Sequence, residues 1–344
     1  MDILKKLTEE FPSIRQDKAQ NIINLIDEGN TIPFIARYRK EMTGSCDDQV
    51  LREFNDRLTY LRNLEKRKEE VTKSITEQGK MTDEIAKALD AALTLTEVED
   101  IYRPYKQKKK TRASVAIERG LQPLADFILA QDKNADVMAE AQKYIDEEKG
   151  VATAEDAIAG AKDIIAEIVS DDANVRKKLR NLFMKNGEIE TRLVNADKDE
   201  AKVYEMYADY SENIAEIKSH RVLAVNRGEK EGFLKVRICF NEEIAKRIAG
   251  AGYLKDGGYS TQLVKEAVED SYDRLIFPSI EREIRASLTE AASEQAIKMF
   301  EVNLKPLLMQ PPVKDKITLG TRRSSIPRPV PSRTSKRQKR CSNS

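Results

Sequence analysis

Along most of the chain, apolar residues recur every three or four positions. Between Asp47 and Gln78, Leu51, Phe54, Leu58, Leu61, Leu64, Val71 and Ile75 form one stripe, the spacing of an amphipathic helix. Either Asp47 or Asp48 can cap its first turn, and Gly79 suits the left-handed residue that closes a helix. A helix of about 30 residues is a rod of about 45 Å whose stripe needs neighbours. Two are predicted: Thr82 starts a helix through Leu89 and Leu93, and Thr96 with Glu99 makes a capping box for a short helix that Pro104 limits.

After a polar, acidic stretch at 132–149, a second helical group begins at Thr153. The small residues Ala154, Ala157, Gly160 and Ala161 allow a close helix neighbour, while Ile158, Ile164, Ile165 and Ile168 supply core contacts. The span 171–209 again reads as helices, with Leu179, Leu182, Phe183 and Met184 inward around a turn at Asn186 and Gly187. The period then changes once. Arg221 to Val225 is a short apolar run, Asn226 to Gly232 is turn-rich, and Leu234, Val236, Ile238 and Phe240 alternate with polar residues, which predicts a β-hairpin over 221–240. Pro278 and Ser279 open a long closing helix with Ile280, Ile284, Leu288, Ala292, Met299, Leu304 and Leu307 as its inner face, stopped by Pro311 and Pro312. The fold class is therefore mainly α, multi-helical, with one small β-hairpin.

Charge changes this picture at the C-terminal end. The chain of 344 residues holds 60 Lys+Arg and 59 Asp+Glu. Eight of the basic residues and none of the acidic ones fall in 321–344, leaving 52 against 59 in residues 1–320. A mildly acidic body thus carries a strongly basic tail. With three prolines and few apolar residues, the tail is expected to be disordered. Domains are predicted at 1–195 (helical), 196–312 (helical with the hairpin) and 321–344 (the tail), separated by an opening strand at 313–320.

Other classes are excluded quickly. No run of about 18 apolar residues could span a bilayer, and the opening MDILKKLTEEFPS lacks a signal-peptide h-region. A cytoplasmic protein without membrane association is expected. Three scattered cysteines and one histidine predict no metal site, and no cofactor-binding pattern accompanies them.

Three segments are candidates for chemistry. The first, 32–40, interleaves aromatics with Arg37, Tyr38, Arg39 and Lys40. Either the cations meet phosphates and Tyr38 stacks on a base, or Phe34 and Ile35 are core and the charges a solvated edge. The second is Tyr105, Lys106, Lys108, Lys109, Lys110 and Arg112, a Pro-broken basic run suited to phosphate contact; alternatively it is a charge run balanced by Glu97, Glu99 and Asp100. The third is the lone His220 beside Ser219, which no nucleophile elbow or P-loop accompanies, so no catalytic residue is assigned.

Taken together, 32–44 (IPFIARYRKEMTG), 102–106 (YRPYK) with the basic run behind it, 120–124 (GLQPL), 219–229 (SHRVLAVNRGE) and 278–285 (PSIEREIR) carry a resemblance. In order and spacing over roughly residues 1–320, the chain resembles the N-terminal part of the bacterial Tex family of transcription accessory proteins. The resemblance implies a helix-turn-helix-like portion in the N-terminal helical domain. In complete family members there follow a RNase-H-like domain without established nuclease activity, helix-hairpin-helix modules and an S1 domain, the family's principal nucleic-acid-binding element. Where the family continues the Lys316–Gly320 strand through an Asp-Pro-Gly turn, this sequence turns to Thr321-Arg322-Arg323. A break inside a strand favours out-of-frame translation over a designed basic arm. The expected function is a non-enzymatic accessory protein binding RNA or DNA, with RNA polymerase or ribosome-associated factors as further partners. The alternative is a helical protein-interaction scaffold on the same machinery.

Overall fold

The structure, a computed structural model of the protein, describes residues 2–310 except 107, 134–135, 195–198 and 256–257, and the backbone alone of 199–200, 318–321 and 324–329. The described residues form sixteen α-helices and a three-stranded antiparallel sheet, with a separate two-stranded ribbon near the end.

The predicted stripe folds as the 30-residue helix Asp48–Glu77, closed by Gly79 at φ +67°. It serves two cores in succession. Leu51, Phe54, Leu58 and Leu61 pack with Leu7, Ile22 and Ile35, whereas Leu64, Val71 and Ile75 pack with Leu89 and Val98. Thr82 caps Asp83–Ala91 as expected, but Leu93 is exposed. The N-cap of the next helix is Thr94, two residues earlier than the predicted Thr96, and no reciprocal capping box forms there. Thr94 Oγ accepts from the Glu97 N–H at 3.2 Å, and the Glu97 carboxylate accepts from the Leu93 N–H at 2.8 Å. Both positions fit the Thr-x-x-Glu pattern; this register buries Val98 and Asp100 on one helix, Leu95–Tyr102.

The largest core runs from Ala113 to Ile284 around the helix Ala154–Asp171, which Thr153 and Asp156 close with a reciprocal capping box. Its small residues do admit a close neighbour: a Cβ on Gly160 would run into Leu121 and Ala116.

The hairpin expected at 221–240 is corrected. Ser219–Lys230 is an α-helix that buries Val222, Val225 and Gly228, a 3-residue spacing that a five-residue apolar run cannot distinguish from a strand on its own. Tertiary packing decides, because this helix lies against both the sheet and the long closing helix. A Cβ on Gly228 would stand 2.6 Å from Leu234 Cδ1. The sheet itself comprises β1 (Glu188–Leu193), β2 (Asp209–Asn213) and β3 (Leu234–Cys239) in the order β2-β1-β3, so the expectation of helices throughout 171–209 also fails. Ile189, Thr191, Leu234, Val236 and Ile238 are buried beneath the sheet, while Arg192, Lys235 and Arg237 point from its open face.

A continuous helical rod then runs through Tyr259–Asp270, a π-helical turn at Ser271–Ile276, and Phe277–Leu308. Pro278 lacks the N–H that would bond one turn back, and the widened turn immediately precedes it. Ile280, Ile284 and Ala292 are buried as predicted, but Met299, Leu304 and Leu307 are 55%, 36% and 63% exposed. Their stripe continues beyond the body it packs against. Within the expected disordered tail, Ser324–Pro329 pairs with Thr318–Thr321; residues 330–344 lie outside the described residues. No helix among the described residues is long and apolar enough to cross a membrane.

Candidate nucleic-acid interface

The segment 28–44 owes its shape to local chemistry. Gly29 at φ +81° ends the helix Gln16–Asp27, and Pro33 sits in the first turn of the helix Ile32–Tyr38. Arg39 breaks out of helical geometry, Lys40–Thr43 adds one turn, and Gly44 closes it at φ +73°. Lys18 Nζ donates to the Glu41 carbonyl at 2.8 Å and Asn21 Nδ2 to that of Met42 at 3.2 Å, tying this turn back to the helix Gln16–Asp27.

Within that frame the two readings of 32–40 separate by residue. Ile35 is fully buried in the N-terminal core. Phe34 and Tyr38, four positions apart and on one helical face, are 37% and 61% exposed, with ring centroids 5.2 Å apart. The Arg39 guanidinium lies 5.5 Å from the Phe34 centroid, a cation–π contact that holds the ring plane in place. Arg37 and Lys40 are exposed and make no ion pair with a described residue. Of the two residues that the core alternative names, Ile35 is buried and Phe34 is not.

The second segment is more deeply tied. Tyr102 hydroxyl meets Ser74 Oγ at 3.1 Å with Arg67 over its ring, and Gln78 Nε2 donates to the Tyr105 carbonyl at 2.9 Å, so both tyrosines belong to the second N-terminal core. Lys108 Nζ donates to Glu167 at 2.8 Å and to Asp171 at 2.5 Å, Arg103 bonds Asp171, and Thr111 Oγ donates to Glu167. Lys108 is therefore neutralised from within. Lys106, Lys109, Lys110 and Arg112 stay exposed. The carboxylates expected to balance this run are engaged elsewhere: Glu97 with Lys177, Glu99 with Arg67, and Asp100 with Arg176 and Arg180.

His220 is exposed in the first turn of Ser219–Lys230, and its neighbour Ser219 donates to Gln295. Among the described residues no three His, Cys, Asp or Glu side chains converge as a metal site. Cys239 is pushed up to about 11 by burial and by the adjacent Glu190, which keeps it a thiol at neutral pH.

Comparison with known proteins matches residues 1–76 to the Tex-like protein N-terminal domain and residues 132–300 to the Tex central region. The chain is 48% identical over 320 residues to the uncharacterized protein YdcI of Bacillus subtilis, covering 92% of this chain and 44% of that protein. It is 39% identical over 329 residues to the transcriptional accessory protein Tex of Neisseria gonorrhoeae, covering 93% and 42%. It is 31% identical over 335 residues to the human S1 RNA-binding domain-containing protein 1, covering 93% and 33%. The chain thus spans less than half the length of these relatives.

Proposed function

The chain belongs to the Tex family, and from that premise we propose that it binds nucleic acid as a non-enzymatic transcription accessory protein of the cytoplasm, with the Ile32–Thr43 segment as a contact surface. The observation that carries this reading is the exposed Phe34–Tyr38 pair, braced by Arg39 and flanked by Arg37 and Lys40. Exposed aromatics among free cations suit single strands, where bases stack and phosphates meet the charges. Two helices, Gln16–Asp27 and Ile32–Tyr38, joined by four residues that include a left-handed glycine, also fit a helix-turn-helix-like unit whose second helix carries the exposed residues. The names of the relatives, a transcriptional accessory protein and an S1 RNA-binding domain-containing protein, support the class of ligand. Lys106, Lys109, Lys110 and Arg112 add a second electrostatic contact, from which Lys108 and Tyr105 drop out because they are held internally.

One observation favours the protein-scaffold reading as a second role. Ile297, Phe300, Val302, Leu307 and Leu308 are all at least 63% exposed on the closing helix, an apolar surface of the kind that meets other protein.

Fluorescence anisotropy of a labelled single-stranded RNA, titrated over a salt series, tests the leading reading. The double variant F34A/Y38A is expected to weaken binding about tenfold or more, because the bases no longer have rings to stack on. K109E/K110E should also flatten the dependence of log affinity on log salt, by about 0.7 for each phosphate of a single strand that is no longer neutralised. Wild-type affinity and slope in both variants would remove these surfaces from the function.

A further inference from the structure

Among the described residues, the two faces of the sheet are covered unequally. Its inner face packs on Ser219–Lys230 and on Tyr204 and Tyr207, whereas Arg192, Lys235 and Arg237 of its outer face are exposed. On that outer face the register sets Arg192 of β1 directly opposite Lys235 of β3, with Arg237 two residues further along β3 and opposite Glu190. Directly opposed residues stand about 5 Å apart, and like charges there destabilise a sheet. Same-face neighbours along one strand are about 7 Å apart. None of the three cations makes a side-chain hydrogen bond or ion pair with a described residue, although Asp209 of β2 stands directly opposite Arg192 on its other side and Glu190 directly opposite Arg237. This contrasts with Arg57, Arg62, Arg176, Arg180, Arg274 and Arg285, each of which is paired with a carboxylate. The three cations line a concavity of about 300 Å³ together with Glu190, Leu193 and Val194. β1 and β3 place no aromatic residue on this face, so it has cations for phosphate and no platform for bases.

We propose that the open face of the sheet is a second phosphate-binding surface, on which Arg192, Lys235 and Arg237 hold the backbone of a nucleic acid. A like-charge pair across a ladder lowers the stability of the free protein and is relieved when an anion bridges it. The inference rests on nucleic acid being the ligand of this chain, but on none of the residues of the Ile32–Thr43 segment.

The opposed pair gives the test an unusual sign. In K235E a glutamate on the edge strand faces Arg192, so the variant is expected to melt at a higher temperature than wild type while binding RNA more weakly; a structural role for Lys235 predicts a lower melting temperature instead. R192A/K235A/R237A should bind a labelled single-stranded RNA about tenfold more weakly, with the log–log salt slope reduced by about 2. R192K, which keeps the charge, should bind as wild type. Inorganic phosphate, exchanged for chloride at constant ionic strength, separates the sources of the anion. If phosphate raises the melting temperature of wild type while the triple variant keeps wild-type RNA affinity, the face holds small anions and the inference falls. It also falls if K235E melts lower, or if the triple variant retains both affinity and slope. F34A/Y38A measured alongside distinguishes the readings: binding abolished there and kept in the triple variant sinks the sheet surface alone, and the reverse sinks the N-terminal surface alone.

Discussion

Arg176 is fully buried and holds three parts of the chain at once. Its Nε donates to Asp100 at 3.0 Å, and its Nη2 donates to Ser279 at 3.0 Å and to Glu283 at 2.5 Å, while Arg180 bridges the same two carboxylates. Burial on its own would raise Glu283, but the hydrogen bond from Arg180 and the charges of Arg176 and Arg180 outweigh it and hold the carboxyl below its usual range. A depressed carboxylate stabilises the fold above its unfolded value of about 4.3 and loses that contribution as pH falls through the folded value. Glu283→Gln is therefore expected to lose about 2 kcal/mol at pH 7 in urea denaturation, with the gap to wild type closing below about pH 4. A constant gap across pH would show that the charge is not what Arg176 and Arg180 recognise. Sequence patterning could not find this cluster. Asp100, Arg176 and Glu283 each sit among other charges in polar stretches, and only folding selects the few that are desolvated together.

The closing helix shows how far an element can be read in advance. Its apolar repeat, its proline near the start and its end before Pro311 were legible, because periodicity and proline act locally. Which turns are covered was not, because that depends on where the body ends. Ile284→Ala is expected to cost about 2 to 4 kcal/mol, since Ile284 is 1% exposed in the main core. Phe300→Ser, at 66% exposure, should change stability by less than about 0.5 kcal/mol and reduce self-association in light scattering. Equal losses of stability in the two variants would mean that the outer half of this helix is covered in solution. The helix Ser219–Lys230 makes the converse point. Val222 and Val225 fit a strand or a helix equally over five residues, and the sheet and closing helix on either side resolved the ambiguity.

Across the whole molecule, two small cores strung along Asp48–Glu77 join a large core through ionic contacts: Asp100 and Glu97 reach the helix Ala173–Asn186, and Arg103 and Lys108 reach Asp171. Hydrogen exchange should accordingly be slowest in Ala154–Asp171, half of whose 18 residues are buried, and fastest in 32–43 and 296–309. Slow exchange in 32–43 would contradict the open surface assigned there. Hydrophobic period, capping chemistry and ordered motifs are properties of neighbours along the chain, and they were enough for the helical class, the caps at Thr82 and Thr153, the closure at Gly79 and the family. They could not reveal that Phe34 faces solvent while Ile35 does not, that Lys108 is neutralised, or that Arg192 opposes Lys235. Those outcomes depend on which distant segment covers a side chain or lies across from it, and residues far apart in the chain acquire that relation only when the core closes.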